Sequence, residues 1–136
     1  MARILALDFG KVRTGVAVTD ELQLIASGLA TVETKELLEF LKNYFEAEKV
    51  EKIVIGEPKQ MSGEVSESEA LIAPFIINFK KHFPNLPVVR QDERFTSKMA
   101  LDSMIAGGMK KKKRQNKGEL DKISATIILQ SYLERK

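Results

Sequence analysis

Acidic residues stand at three places in the sequence where the packing of a hydrophobic core does not require them. Asp8 ends an apolar segment, Asp92-Glu93 follows a second one, and Asp121 begins the last helical pattern of the chain. Carboxylates that a fold brings together repel one another unless a cation compensates their charge. Hard oxygen ligands favour Mg²⁺ or Mn²⁺, and two such ions about 4 Å apart can activate water and stabilise a leaving oxygen. Convergence of these acids would therefore predict metal-dependent hydrolysis of phosphate esters.

Each acid, taken alone, also has an explanation that involves no ligand. Asp8 can form a turn, because an Asp side chain accepts hydrogen bonds from the backbone that follows it. The pair Asp92-Glu93 can complement the dipole of a helix, and Asp121 can be an N-terminal helix cap. Only a fold that gathers the three segments distinguishes a site from these alternatives.

A cluster of cations lies just before Asp121. The chain carries a formal charge of +3, and it would carry −3 without the six cations of this cluster. The positive charge is therefore local, and the lack of aromatic neighbours favours contact with phosphates over stacking on bases. A solvated loop is the alternative interpretation. We call this cluster the basic run, and it consists of Lys110, Lys111, Lys112, Lys113, Arg114 and Lys117.

Three short apolar segments at the start of the chain, residues 3–8, 15–19 and 28–32, predict strands. The connections between them are shorter than the dozen or more residues that a helical crossover needs, so we expect an antiparallel meander.

Helical and strand patterns alternate over the rest of the chain. Thr34 can cap a helix with apolar residues at helical spacing, and residues 53–55 form a continuous apolar strand. Ser66-x-x-Glu69 is a capping-box pattern, and Pro74 either kinks the helix that follows or marks its first turn. The remaining predicted elements are a strand at 87–91 and helices at 96–106 and 120–134.

This order predicts an α/β fold with a mixed five-stranded sheet. The first three strands are antiparallel, the last two are parallel, and helices cover both faces. A fifth strand parallel to the first would bring Asp92-Glu93 to the same end of the sheet as Asp8, where open α/β sheets place their sites. The length and the lack of a linker predict one domain over residues 1–136.

Composition excludes several classes of site. The chain has no cysteine, so disulfides, zinc–thiolate sites and Cys-His catalysis are excluded. Its one histidine, His82, follows a helical pattern, and the sequence gives no support for a Ser-His-Asp triad. No segment approaches eighteen apolar residues, and the apolar start is too short for a signal peptide. We therefore expect a cytoplasmic protein without a membrane anchor.

Three motifs together resemble one family, the YqgF/RuvX family, and they cover essentially the whole chain. The motifs are Leu7-Asp8-Phe9-Gly10-Lys11-Val12-Arg13-Thr14-Gly15-Val16-Ala17, Asp92-Glu93-Arg94-Phe95-Thr96-Ser97 and a third that runs from Asp121 to Leu133. The resemblance implies an RNase H-like fold related to the Holliday-junction resolvase RuvC. It also implies an endonuclease that uses Mg²⁺ or Mn²⁺, either in maturing the 5′ end of pre-16S ribosomal RNA or, in an older proposal, in resolving Holliday junctions.

Carried over by motif, the resemblance implies that Asp8, Glu93 and Asp121 are the catalytic and metal-binding residues. The expected partner is nucleic acid, either structured RNA or branched DNA, and we expect a monomer or a weak homodimer. The residues predicted to bind nucleic acid are Lys11, Arg13, Arg94 and the basic run.

One departure from the family affects the second ligand position. The family typically has Gly-Leu-Pro after the fourth strand, whereas this chain has Gly56-Glu57-Pro58. RuvC-like relatives carry a catalytic acid at the end of that strand, so Glu57 competes with Glu93. The alternative functions are a non-catalytic RNA-binding ribosome-assembly factor and an actin-like ATPase. The ATPase needs a second domain, for which 136 residues leave no room.

Overall fold

The computed structural model describes residues 2–57, 69–92 and 117–135. Five strands in this part of the chain form one sheet: β1 (Arg3–Asp8), β2 (Arg13–Thr19), β3 (Ala26–Glu33), β4 (Val50–Glu57) and β5 (Val88–Asp92). Their order across the sheet is β3-β2-β1-β4-β5. The pairs β1–β2 and β2–β3 are antiparallel, and β1–β4 and β4–β5 are parallel. The predicted mixed sheet and the places of its five strands are confirmed.

The described helices are α1 (Leu37–Ala47), α2 (Glu69–His82) and α3 (Lys117–Arg135), and a short 3-10 helix (Thr34–Glu36) leads into α1. Pro74 lies inside α2, so the alternative that it marks the first turn is wrong. The helix predicted at 96–106 lies outside the described residues. None of the described helices is long and apolar enough to cross a membrane.

Thr34 does not cap α1, contrary to the prediction. The residues in the capping positions are Glu33 for the 3-10 helix and Glu36 for α1, and neither makes a side-chain capping hydrogen bond. Because Thr34 is already the first residue of the 3-10 helix, its side chain lies beside the helical turn and does not point at the free amides of that turn. Its hydroxyl donates to the distant Gly10 carbonyl instead.

Side chains alternate along β1 between two layers of the protein. Leu5 and Leu7 belong to the layer of α1 and α2, and Ile4 and Ala6 belong to the layer of α3. Asp8 continues the second series and therefore lies on the face that α3 covers. The helical residues packed in these layers are Leu37, Leu41, Ile72 and Phe79 on the first face and Ala125, Ile128, Leu129 and Tyr132 on the second.

Candidate active site

Parallel pairing brings the ends of β1, β4 and β5 together, at what we call the carboxyl end of the sheet. In the β1–β4 ladder, Leu7 lies opposite Ile55. One further step along each strand puts Asp8, which is half-buried, level with Gly56. The position on β4 that shares the level and the face of Asp8 is therefore a glycine.

The other predicted acids approach the same end of the sheet along the backbone. Glu57 and Asp92 form the last pair between β4 and β5, and Glu93, the next residue, lies outside the described residues. Asp121 lies in the first part of α3, and its side chain is outside the described part. Within the described residues, no three acidic or histidine side chains form a cluster that could hold a metal ion. The convergence of Asp8, Glu93 and Asp121 therefore stays a prediction.

The direction of α3 places its first residues toward the carboxyl end of the sheet. Near its start, the Cγ of Lys122 lies 3.3 Å from the position that a Cβ on Gly28, the third residue of β3, would occupy. Near its end, Leu133 lines a shallow depression with Ala26, the first residue of β3. Ala26 lies at the end of the sheet opposite Asp8. α3 therefore begins nearer to Asp8 than it ends.

The loop that follows Asp8 is anchored at its first two residues, Phe9 and Gly10. The ring of Phe9 packs on Phe75 of α2, with 4.9 Å between ring centroids. A Cβ on Gly10 would lie 2.3 Å from the backbone oxygen of Arg13, closer than any real contact, so this position excludes every side chain. The glycine that follows Asp8 by two residues in the first family motif is thus required by a close backbone approach.

Thr34 reaches the same loop from the end of β3. Its amide donates to the Val12 carbonyl at 2.9 Å, and its hydroxyl donates to the Gly10 carbonyl at 2.6 Å. The hydroxyl also lies 2.9 Å from the hydroxyl of Thr14 on β2. Sequence reasoning missed this role, because a threonine before a helical pattern predicts a local cap.

Arg90 fixes the neighbouring ends of β4 and β5. Its guanidinium donates two hydrogen bonds to the Glu69 carboxylate, at 2.7 and 2.8 Å, and one to the Gly56 carbonyl at 2.9 Å. Its Nε donates to the Ile55 carbonyl at 3.3 Å. The hydrogen bond from Arg90 lowers the pKa of Glu69 below its usual value of 4.5. Ser66, the other member of the predicted capping box, lies outside the described residues.

Gln91 adds a neutral oxygen at the level of Asp8. It lies on β5 opposite Gly56, and so on the same face as Asp8. Its Oε1 is buried and has no hydrogen-bond partner within the described part of the chain. A buried acceptor without a partner costs about 1–3 kcal/mol, and amide oxygens are among the ligands of hard divalent cations. This oxygen and the acids fit Mg²⁺ or Mn²⁺, and they do not fit a soft, thiolate-preferring metal.

Two of the predicted nucleic-acid contacts lie in the described residues. Lys11 is exposed in the loop after Asp8, and Arg13 is half-buried at the start of β2. Lys11 lines a groove of about 290 Å³ together with Val12, Glu33 and Lys35. Arg94 and residues 110–114 of the basic run lie outside the described residues, and Lys117 is the first residue of α3. The nucleic-acid contacts stay a prediction.

A family model whose description is "RuvX: Holliday junction resolvase" matches residues 2–135. The chain belongs to the RuvX family. The resemblance that the three motifs indicated is therefore confirmed, and so is the predicted class of enzyme, a hydrolase acting on phosphodiester bonds.

Curated relatives of this RuvX-family chain match it over nearly its whole length. A protein of Flavobacterium psychrophilum is 58% identical over 136 residues, which cover 100% of this chain and 99% of the relative. A protein of Christiangramia forsetii is 62% identical over 133 residues, 98% of each chain. Both carry the provisional name of pre-16S rRNA nuclease.

The solved structure of T. thermophilus RuvC in complex with a Holliday junction substrate is similar to this chain in three dimensions. The TM-score is 0.58 at 14% sequence identity, and the match covers 99% of this chain and 96% of that one. At this identity the likeness shows the fold alone. It confirms the RNase H-like architecture.

Proposed function

We propose that this RuvX-family chain is a cytoplasmic, divalent-metal-dependent endonuclease that cleaves phosphodiester bonds in maturing the 5′ end of pre-16S rRNA. The observation that carries the proposal is the position of Asp8. It is a half-buried carboxylate at the carboxyl end of the parallel strands, on the face that α3 covers. Core packing gives no reason for a charge there, whereas a bound cation does. The names of the relatives supply the substrate class.

The level of Asp121 along the sheet supports its role as a ligand. The turn of α3 that starts at Lys122 packs over Gly28, which is level with Ala6 through the two antiparallel ladders. Asp8 lies two residues beyond Ala6, about 6.6 Å along the strand. Asp121 directly precedes this turn, on the side of the start of α3, and α3 begins nearer to Asp8 than it ends. Relative to Lys122, the backbone of Asp121 therefore lies toward the Asp8 end of the sheet.

Asp8, Glu93 and Asp121 would hold Mg²⁺ or Mn²⁺ at this end of the sheet. Bound in this way, the ions supply positive charge to the attacking and leaving oxygens of a phosphodiester. Thr34 anchors the loop that follows Asp8 by a hydrogen bond to Gly10. The Gln91 side-chain oxygen offers an additional neutral ligand for the ions. Cations flank the acids in the sequence, with Lys11 and Arg13 after Asp8 and the basic run before Asp121, which suits a substrate with a charged backbone.

Cleavage by purified protein tests the proposal. The substrates are an rRNA precursor with its 5′ extension, an unrelated single-stranded RNA and a four-way DNA junction, each with Mg²⁺, Mn²⁺ or EDTA. We expect metal-dependent cutting of the precursor, and we expect Asp8→Asn to lower the rate by at least ~100-fold. Asp20→Asn is the matched control, because Asp20 lies at the opposite end of the sheet, where its carboxylate accepts from the Leu24 and Ile25 amides at 2.8 Å.

The substrates and variants separate the alternatives. Retained cleavage by Asp8→Asn, in protein free of contaminating nuclease, would refute the carboxylate mechanism. Preferential cutting of the junction would favour a Holliday junction resolvase, the function that the family description names. RNA binding without cleavage in every metal would favour a non-catalytic assembly factor.

A further inference from the structure

We propose that Thr34 is a positioning residue for Asp8. Its backbone amide and its hydroxyl hold the loop of residues 9–12, and this loop sets the orientation in which Asp8 meets a metal ion. The role of Asp8 as a ligand rests on the proposed function. The fixing of the loop does not, because it follows from hydrogen bonds that the structure describes.

The number of hydroxyl protons determines the direction of these hydrogen bonds. The Gly10 carbonyl can only accept, so the Thr34 hydroxyl donates its single proton across the 2.6 Å contact. The hydroxyl of Thr14, 2.9 Å away, must then donate to Thr34. The bonds therefore run in one direction, from Thr14 through Thr34 to Gly10, and each donor strengthens the next. Thr14 is fully buried, so water does not readily replace its partner.

Thr34 holds the loop at two points. Its two donors hold the carbonyls of Gly10 and Val12, which are two and four residues after Asp8. The packing of the Phe9 ring on Phe75 holds the residue between Asp8 and Gly10. A carboxylate that must share a cation with other carboxylates benefits from such external support, since mutual repulsion would otherwise turn it away.

Thr19 provides a matched control at the other end of β2. It is buried, and its hydroxyl oxygen accepts from the Ile4 amide at 2.9 Å. Thr19→Val and Thr34→Val each remove one threonine hydroxyl that pairs with a backbone group, at nearly constant volume. Of the two threonines, only Thr34 contacts the loop that follows Asp8. If the Thr34 hydroxyl merely stabilised the fold, the two variants should have similar effects on metal binding and cleavage.

The experiment compares wild type, Thr34→Val, Thr34→Ser and Thr19→Val in the full chain. Three measurements are made: amide hydrogen exchange at residues 10–13, Mn²⁺ affinity by calorimetry, and the steady-state kinetics (kcat and KM) of cleavage of the rRNA precursor. For Thr34→Val we expect ~10-fold faster exchange, ~10-fold weaker Mn²⁺ binding and ~10-fold lower kcat, with KM within about 3-fold. Thr34→Ser keeps the hydroxyl and should restore all three, and Thr19→Val should resemble wild type in all three.

Two results would overturn the inference. The first is wild-type exchange at residues 10–13 in Thr34→Val, and the second is faster exchange with unchanged Mn²⁺ affinity and kcat. Should the wild-type protein neither bind Mn²⁺ nor cleave RNA, the proposed function fails. In that case the exchange rates at residues 10–13 alone test whether Thr34 fixes the loop. Equal rates in Thr34→Val and wild type would then overturn the inference as well.

Discussion

Arg90 connects three elements beside the candidate site, and its replacement should weaken the fold measurably. The guanidinium binds both oxygens of Glu69 on α2 and two carbonyls near the end of β4, those of Ile55 and Gly56. The side chains of Arg90 and Glu69 are only 24% and 22% exposed, so solvent screens their attraction only in part. We therefore predict a larger effect than for an ordinary surface ion pair.

The contacts of Arg90 set the size of the expected loss. A two-point pair with a carboxylate contributes ~1.5–3 kcal/mol when well placed, and the remaining exposure favours the lower end. The two carbonyl contacts add about 0.5 kcal/mol each. Arg90→Met keeps the apolar stem and should lower the free energy of unfolding by about 2–3 kcal/mol, which is a fall in Tm of roughly 6–10 °C at this chain length. Arg90→Lys should recover only part, because it lacks the planar fork.

Denaturation followed by far-UV circular dichroism measures this loss. A double-mutant cycle with Glu69→Gln should give a coupling of at least ~1 kcal/mol. Arg3→Met is the matched control, since Arg3 is equally exposed but has only one contact to Glu48, at 3.4 Å, and one bond to the Thr19 carbonyl, at 3.0 Å. We expect less than ~1 kcal/mol there. A loss for Arg90→Met no greater than that for Arg3→Met would refute the reasoning.

The pH dependence of the Glu69 contribution provides an independent check. Arg90 lowers the pKa of Glu69 below 4.5 in the folded protein. A lowered pKa means that the stabilisation is complete above the unfolded value and is lost as the pH falls through the folded value. The difference in stability between wild type and Glu69→Gln should therefore be constant from pH 7 to about pH 5 and shrink on further acidification. A difference that does not change with pH would contradict the ion pair.

Three further predictions concern the site and its loop. Glu93→Gln should lower the cleavage rate at least ~100-fold and Glu57→Leu less than ~10-fold, measured on folded protein at saturating Mg²⁺, and the reverse ranking would move the second ligand to β4. Neutralising Lys110 to Lys113 of the basic run should weaken binding to all RNA sequences alike and flatten the plot of log affinity against log salt. An unchanged slope would mean that these lysines form a solvated loop. Gly10→Ala should lower the free energy of unfolding by at least ~2 kcal/mol, because its Cβ meets rigid backbone, and Gly28→Ala by less than ~1 kcal/mol, because its Cβ meets side-chain atoms at 3.3 Å.

The sheet could be predicted because its evidence in the sequence is local. The first three strands are apolar segments joined by short connections, and connection length alone requires antiparallel pairing. The position of Asp8 followed from the same reasoning, since a charge at the end of a buried strand lies at the end of the sheet. The parallel pairing of β4 with β1 and β5 then brought Asp92 to that end, as expected.

The contacts that hold the site could not be predicted in this way. Thr34 and Gly10 are 24 residues apart, and Arg90 and Glu69 are 21 apart. A threonine before a helix and a glutamate in a capping box each have a local interpretation that the sequence favours. The tertiary arrangement determines which partner a hydroxyl or carboxylate binds. The Thr34 hydroxyl binds the carbonyl of Gly10 and not an amide of the adjacent helix.

These two contacts lie on opposite sides of β1, and this arrangement has a physical consequence for Asp8. Thr34 holds the loop on the side of β2 and β3, and Arg90 holds the backbone on the side of β4 and β5. Neither of these two contacts involves the Asp8 carboxylate, so a change at the carboxylate does not itself remove either of them. In the proposed site, repulsion between the acids would act against these hydrogen bonds and not against contacts of the carboxylate itself, so Asp8→Asn should keep the fold while losing the charge. If a folded Asp8→Asn protein loses cleavage, the loss would therefore be due to the missing carboxylate charge and not to unfolding of the loop and strands around it.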